Sequence, residues 1–217
     1  MKPRLRSTPT LPESESPPWR LYPRAGNSFR AKEIVISARA QNVIVRRLSA
    51  KTIETARPNT LSSRHGLDTF PLHTDQVLAN TAPRWLLLVA PRQRATKTVL
   101  FDTRSLLLKF GEEFLHRALF LQKIRAGKYV RLLSYANTKR IFKYNPDIFQ
   151  PVNNEAHAVL EYIESTTDIT IVDWQEHYMV LIDNWSAFHG RGPHLDPNGI
   201  GLFRFTIWSD ANELDID

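Results

Sequence analysis

Phe70-Pro71-Leu72-His73-Thr74-Asp75-Gln76, followed shortly by Pro83-Arg84-Trp85-Leu86-Leu87-Leu88, joins an extended segment to a strongly apolar one. In an extended chain, residues i and i+2 project from the same face. The imidazole of His73 and the carboxylate of Asp75 can therefore reach a single ion. The triplet alone is weak, because with 7 histidines among 217 residues about one His-x-Asp match is expected by chance. A second triplet, His194-Leu195-Asp196, lies within Gly192-Pro193 and Pro197-Asn198-Gly199, which is turn chemistry. His194 is therefore set aside as a ligand, and His73 with Asp75 is kept.

Working outward, Trp85 to Ala90 reads as a fully buried strand, and Ile34-Val35-Ile36 and Val43-Ile44-Val45 are β-branched runs of strand type. Residues 104 to 124, with Leu106, Phe110, Phe114, Leu115 and Leu119 at helical spacing, predict one amphipathic helix despite Gly111. A second helix is predicted from about Asn154 to Ser165, capped by Asn153 or Asn154. The chain then returns to strands at 169–172, 178–182 and 202–208. Strands at both ends enclosing a helical insert predict a mainly β fold with helices, a β-sandwich or jelly roll. Residues 1 to about 30, rich in Pro, Ser, Arg and Glu, predict a flexible arm, leaving 31–217 as the folded domain.

The chain has no cysteine, which excludes disulfides, thiolate ligands and a cysteine nucleophile. Any metal must then sit on histidine, carboxylate or water, favouring a hard or intermediate ion. No apolar run approaches the roughly 20 residues that span a bilayer, and the basic start leads into Ser, Pro and Glu. The expectation is a cytoplasmic protein without membrane contact. The net charge of +7 is scattered along the chain and not gathered in a block, which argues against nucleic acid as the partner. It suits a small anionic substrate. Oligomeric state is not legible.

Completing a facial triad requires a second histidine from another strand. His189, in Leu181-Ile182-Asp183-Asn184-Trp185-Ser186-Ala187-Phe188-His189-Gly190-Arg191, is the best supplier. Together, this block and the stretch around His73 resemble the clavaminate synthase-like and taurine dioxygenase-like superfamily of 2-oxoglutarate oxygenases, over roughly residues 55 to 208. The resemblance implies a double-stranded β-helix core, a cupin-like jelly roll with the helical insert between the two motifs. It also implies Fe(II), 2-oxoglutarate and O2, with His73, Asp75 and His189 as both metal ligands and catalytic centre. Arg204, fifteen residues after His189, falls where the family anchors the distal carboxylate of 2-oxoglutarate. Its planar guanidinium suits bidentate grip, and it would be costly to bury between Phe203 and Phe205 without an anion. Thr98, with Thr96 as its competitor, roughly matches a position that hydrogen-bonds the cosubstrate. Arg191 is a family feature placed toward cosubstrate or substrate, or else it pairs with a carboxylate such as Asp183. Gln76 joins Arg191 as a candidate substrate contact.

The implied activity is hydroxylation of an unactivated C–H in a small, amino-acid-like or anionic molecule, with release of succinate and CO2. Two other readings stand beside it. One is a zinc hydrolase on the same His/Asp/His set, for which Arg204 has no use. The other is a non-catalytic, basic cupin-like or nucleic-acid-binding module with structural histidines.

Overall fold

The computed structural model describes residues 16–24, 43–124, 127–136, 138–195 and 201–208. In chain order the first half holds β1 (Trp19–Pro23), β2 (Ile44–Leu48), a short helix α1 (Ser62–His65), β3 (Phe70–His73), β4 (Trp85–Val89) and β5 (Thr98–Asp102). Next come helices α2 (Arg104–Phe110) and α3 (Glu112–Arg117), then β6 (Leu119–Gln122), β7 (Tyr129–Arg131), β8 (Leu133–Ala136), β9 (Lys139–Phe142) and β10 (Phe149–Pro151). Helix α4 (Asn154–Ser165) leads to β11 (Thr170–Val172), β12 (His177–Asp183), β13 (Ala187–Arg191) and β14 (Leu202–Ile207).

The described pairings are antiparallel. A major sheet runs β1-β12-β4-β14-β2 and a smaller one runs β11-β5-β13-β3. Alternation sorts their side chains. Leu86 and Leu88 of β4, Val180 and Ile182 of β12, Leu100 of β5 and Ala187 of β13 meet in one apolar cluster between the sheets. Burying each aliphatic side chain of this kind contributes about 1.5–3 kcal/mol. The next residues along, Phe101 and Phe188, point the other way and pack under α2, α3 and α4 with Leu106, Leu115 and Val159. The result is a mainly antiparallel β-sandwich of the cupin type, with its helices on the outer face of the smaller sheet.

Three expectations change. The helix predicted over 104–124 is two short helices and a strand. Gly111 takes φ 75° and ψ 157°, which ends α2 and starts α3. Leu119-Phe120-Leu121 then alternates and pairs with β10 and β7. Within the segment expected as an arm, Trp19–Pro23 is instead an edge strand, paired with β12 from Trp19↔Ile182 to Pro23↔His177. Trp19 and Leu21 pack on the inter-sheet cluster, and Arg24 donates to the carbonyls of Trp174 and Ala90 at 3.0–3.2 Å. Two apolar residues at period two suffice when a free sheet edge awaits them. The strand expected at 43–45 is shifted to 44–48, and the one expected at Ile34-Val35-Ile36 lies outside the described residues. Helix α4 is capped by Asn153, whose side chain accepts from the Ala156 amide at 3.1 Å. Among the described residues, no helix is long and apolar enough to cross a membrane.

Candidate metal centre

The two halves of the sequence pattern meet at one rung of the smaller sheet. Strand pairing sets His189 of β13 directly opposite His73 of β3. Residues paired this way project from the same face, and the two rings lie 4.4 Å apart between centroids. Gly190 lets the strands approach, since a Cβ there would sit 2.8 Å from the Phe70 carbonyl oxygen. Asp75 follows two residues after His73. Its Oδ1 is 3.6 Å from His73 Nε2 and 3.8 Å from His189 Nε2. All three residues are buried, and their ligand atoms lie within 4.8 Å of one another.

The arrangement is held from behind. His73 Nδ1 donates to the Pro71 carbonyl at 2.9 Å, leaving the Nε2 lone pair facing the other two residues. The Asp75 amide donates to Asn184 Oδ1 at 2.9 Å, and Asn184 Nδ2 donates to the carbonyls of Asp75 (3.3 Å) and Pro83 (2.9 Å). Asn184 is fully buried. The Thr74 amide donates to the Tyr144 carbonyl at 2.7 Å. Asn184 and Tyr144 thus fix the backbone on either side of the carboxylate. Gln76, at φ 55°, turns the chain away immediately afterwards and lines the cavity.

Electrostatics favour metal-ready protonation states. Burial opposes ionisation of Asp75 more strongly than any other single influence, but Arg204, His73 and His189 together outweigh it and hold the carboxyl well below its usual range. Burial, helped by neighbouring His73, pushes His189 down to about 3, so its imidazole is neutral and free to coordinate.

Arg204 lies on β14 in the opposite sheet and turns inward, with Phe203 and Phe205 packing on the far face. Its Nη1 donates to Asp75 Oδ2 at 2.5 Å, while its buried Nε has no hydrogen-bond partner among the described residues. An additional acceptor is therefore wanted beside Asp75, and a carboxylate would fit it. Thr98, buried on β5, accepts from Trp174 Nε1 at 3.1 Å, which leaves its own hydroxyl proton to donate. Thr96 is engaged with His194, Oγ1 to Nδ1 3.3 Å, and accepts from the Leu195 amide.

Arg191 does not pair with Asp183, whose partner is Arg84 at 3.6 Å. Its guanidinium lies 3.6 Å from the Phe70 ring centroid and donates to the carbonyls of Gly66, Asp68 and Gly192. Phe70, three residues before His73, is the cross-strand partner of Arg191, so ring and cation are set by the same pairing. His194 is outside the His73, Asp75 and His189 group and bonds Arg94 at 3.2 Å. The three ligand residues, Arg204, Thr98, Arg191 and His194 line one cavity of about 900 Å³, with Leu88, Leu202 and Trp174 as apolar lining.

Compared with known proteins, the chain matches no family model, and no curated protein matches its sequence. Solved structures do match. An asparagine oxygenase, crystallised with Fe(II), 3-hydroxyasparagine and succinate, aligns at TM-score 0.55 and 15% identity, over 67% of this chain and 51% of that one. The non-haem iron oxygenase OrfP aligns at 0.51 and 18%, over 66% and 52%. The PvcB protein of Pseudomonas aeruginosa aligns at 0.51 and 16%, over 76% and 62%. The chain shares their fold. It spans about half the length of the two oxygenases, and identities this low speak to architecture alone.

Of the residues sequence reasoning singled out, the structure brings His73, Asp75, His189 and Arg204 into one cluster and sets Thr98, Arg191 and Gln76 on the same cavity. It leaves His194 in the wall. Asn184 was missed as a positioning residue. Its signal was available, since a buried Asn one residue past a strand must find several hydrogen-bond partners.

Proposed function

We propose that this chain is an iron(II)- and 2-oxoglutarate-dependent oxygenase that hydroxylates an unactivated C–H of a small, amino-acid-like or anionic substrate, releasing succinate and CO2. In this reading the two facing sheets are the halves of a double-stranded β-helix. The domain covers residues 31–217, with part of the preceding segment attached as strand β1. The supporting observation is the conjunction of three buried ligand atoms with an arginine beside them whose Nε lacks a partner.

His73, Asp75 and His189 would hold the metal and, coming from two adjacent strands and the segment just after the first, leave its cavity side open for other ligands. Arg204 would bind the distal carboxylate of 2-oxoglutarate, with the Thr98 hydroxyl donating a further hydrogen bond. When bound, Fe(II) and 2-oxoglutarate supply the O2 activation and oxidative decarboxylation that no side chain here can perform. The remaining work of the chain is positional. The rung pairing fixes the imidazoles, Asn184 fixes the backbone that carries the carboxylate, and the apolar lining of Leu88, Leu202 and Trp174 keeps water from crowding the reacting carbon. Arg204 also separates this reading from a zinc hydrolase, which needs no dicarboxylate anchor.

The test is anaerobic addition of Fe(II) and then 2-oxoglutarate to the full chain. A weak visible charge-transfer band that requires both is expected. Zinc-dependent ester or amide hydrolysis without such a band would replace the proposal with the hydrolase.

A further inference from the structure

The segment 43–65 forms one wall of the cavity, and its charge is one-sided. Arg46, Lys51, Arg57 and Arg64 line the cavity from this wall, while Glu54 is the only carboxylate in the segment. Arg46 is the cross-strand partner of Arg204, so two guanidinium groups leave adjacent strands on one face. Like charges directly opposite are destabilising unless something lies between them. Arg204 is answered by Asp75, and Arg64 donates to the Asp147 backbone carbonyl. Arg46, Lys51 and Arg57 have no side-chain hydrogen bond or ion pair among the described residues. Across the cavity, Arg191 is fixed by backbone carbonyls and an aromatic face, and none of these cancels its charge.

The polarity of the cavity therefore has a direction. Apolar Leu88, Leu202 and Trp174 lie on the side of the sandwich core, and the exposed cations of 46–64 lie toward solvent. A ligand matched to both has a carbon skeleton at the metal end and an anion at the outer end. The volume of about 900 Å³ suits a small molecule and not a polymer strand.

We propose that this cavity selects a small substrate whose end remote from the reacting carbon carries a carboxylate or phosphate, held by Arg46, Lys51 and Arg57. The assignment rests on the oxygenase reading for the reaction at the inner end, but not for the anion contact itself.

The experiment is calorimetric titration of the metal-free full chain with two probes, pyrophosphate for the phosphate arm and tricarballylate for the carboxylate arm. At least one is expected to saturate at a single site. Its affinity should fall about tenfold or more in an Arg46→Gln/Arg57→Gln double variant, as when charged partners are truncated. Both residues are exposed, so thermal unfolding should be unchanged, and Lys51→Gln provides a second, independent variant. The His73→Ala protein should bind the same probe as well as wild type, which separates this contact from the metal centre. Which probe wins distinguishes a phosphate from a carboxylate ligand. Absence of saturable binding by either probe, or wild-type affinity in both the double variant and Lys51→Gln, would overturn the proposal. So would steeply salt-dependent binding of a single-stranded oligonucleotide where both small anions fail. Failure of the charge-transfer band with anion binding intact would defeat the oxygenase reading and leave the anion site standing.

Discussion

The two walls of the cavity are built on opposite principles. The inner wall, residues 70–76 and 184–191, is mostly buried, and its backbone is tied at successive positions: Thr74 to Tyr144, Asp75 to Asn184, His189 across from His73. The outer wall, residues 43–65, is mostly exposed, and among the described residues its strand β2 is paired on one side only. Metal coordination tolerates errors of a few tenths of an ångström, so its residues need rigid elements and a supporting set of hydrogen bonds. Charge attraction acts over a longer range and tolerates motion, so selection can be left to an edge strand and a loop. Substitutions in the first wall should therefore act steeply and specifically, and those in the second should act in graded fashion.

The largest expected effect breaks the inner wall. His73→Ala, Asp75→Ala and His189→Ala should each abolish iron retention after desalting, with far-UV circular dichroism unchanged, because each removes one of three ligands. Iron retained at wild-type stoichiometry by any one variant would remove that residue from the set. Asp75→Ala carries a second signature. It leaves the Arg204 guanidinium buried without its carboxylate, so it should also lower stability, by the roughly 3–5 kcal/mol of a broken buried pair. Neither histidine variant should do so to that extent.

Arg204 belongs to the major sheet, beside β2 of the outer wall, but touches the inner wall, and it tests whether the two walls act separately. Arg204→Ala should keep iron while weakening 2-oxoglutarate by about 2–5 kcal/mol, read as a shifted midpoint in a titration of the charge-transfer band. Arg204→Lys should recover only part, since an ammonium lacks the two-pronged fork. The arginine bonded to Asp75 cannot give the same N–H to a dicarboxylate, so cosubstrate binding must loosen that pair or use the free Nε. Equal midpoints in wild type and both variants would move the anchor to Arg191.

What could be read in advance follows from what is local. His73 and Asp75 share a face because of a spacing of two, and Arg204 was legible because a cation inside an apolar strand demands a partner. The strands at 85–89, 177–183 and 202–207 are visible for the same reason: their alternation or apolar run is written in consecutive residues. Cross-strand facts are not. Nothing in Val43 to Leu48 says that Arg46 will stand opposite Arg204, and nothing in Trp19 to Pro23 says that β12 has a free edge. Gly111 was read as tolerated inside a helix. Its positive φ instead ends α2 and lets the chain restart as α3. His189 needed both kinds of information, a motif along the chain and a partner across the sheet.

The next effect lies at the other edge of the major sheet. Removing residues 1–24 should lower thermal stability, not leave it unchanged. It exposes the edge of β12, withdraws Trp19 and Leu21 from the core, and frees the carbonyls of Trp174 and Ala90 that Arg24 serves. Trp19→Ala alone should cost about 1–3 kcal/mol, the scale for a partly buried aromatic, in denaturant unfolding. An unchanged midpoint in both would return the segment to a loosely attached arm.

The smallest effect is expected at His194, the histidine that shares the cavity but not the metal cluster. Its Nε2 faces Arg94 and its Nδ1 faces Thr96, at 3.2 and 3.3 Å, so neither nitrogen is turned toward Asp75. Arg94 and a metal would be competing cations for one lone pair. His194→Ala should therefore retain iron at wild-type stoichiometry. It removes two long hydrogen bonds, each worth about 0.5–1.5 kcal/mol at most, and Thr96 keeps its bond to the Leu195 amide, so the stability change should be small. Loss of iron equal to that in His189→Ala would mean that the wall histidine swings into the site when metal binds. The rigid inner wall would then lose its defining property, because one of its ligands would come from a loop.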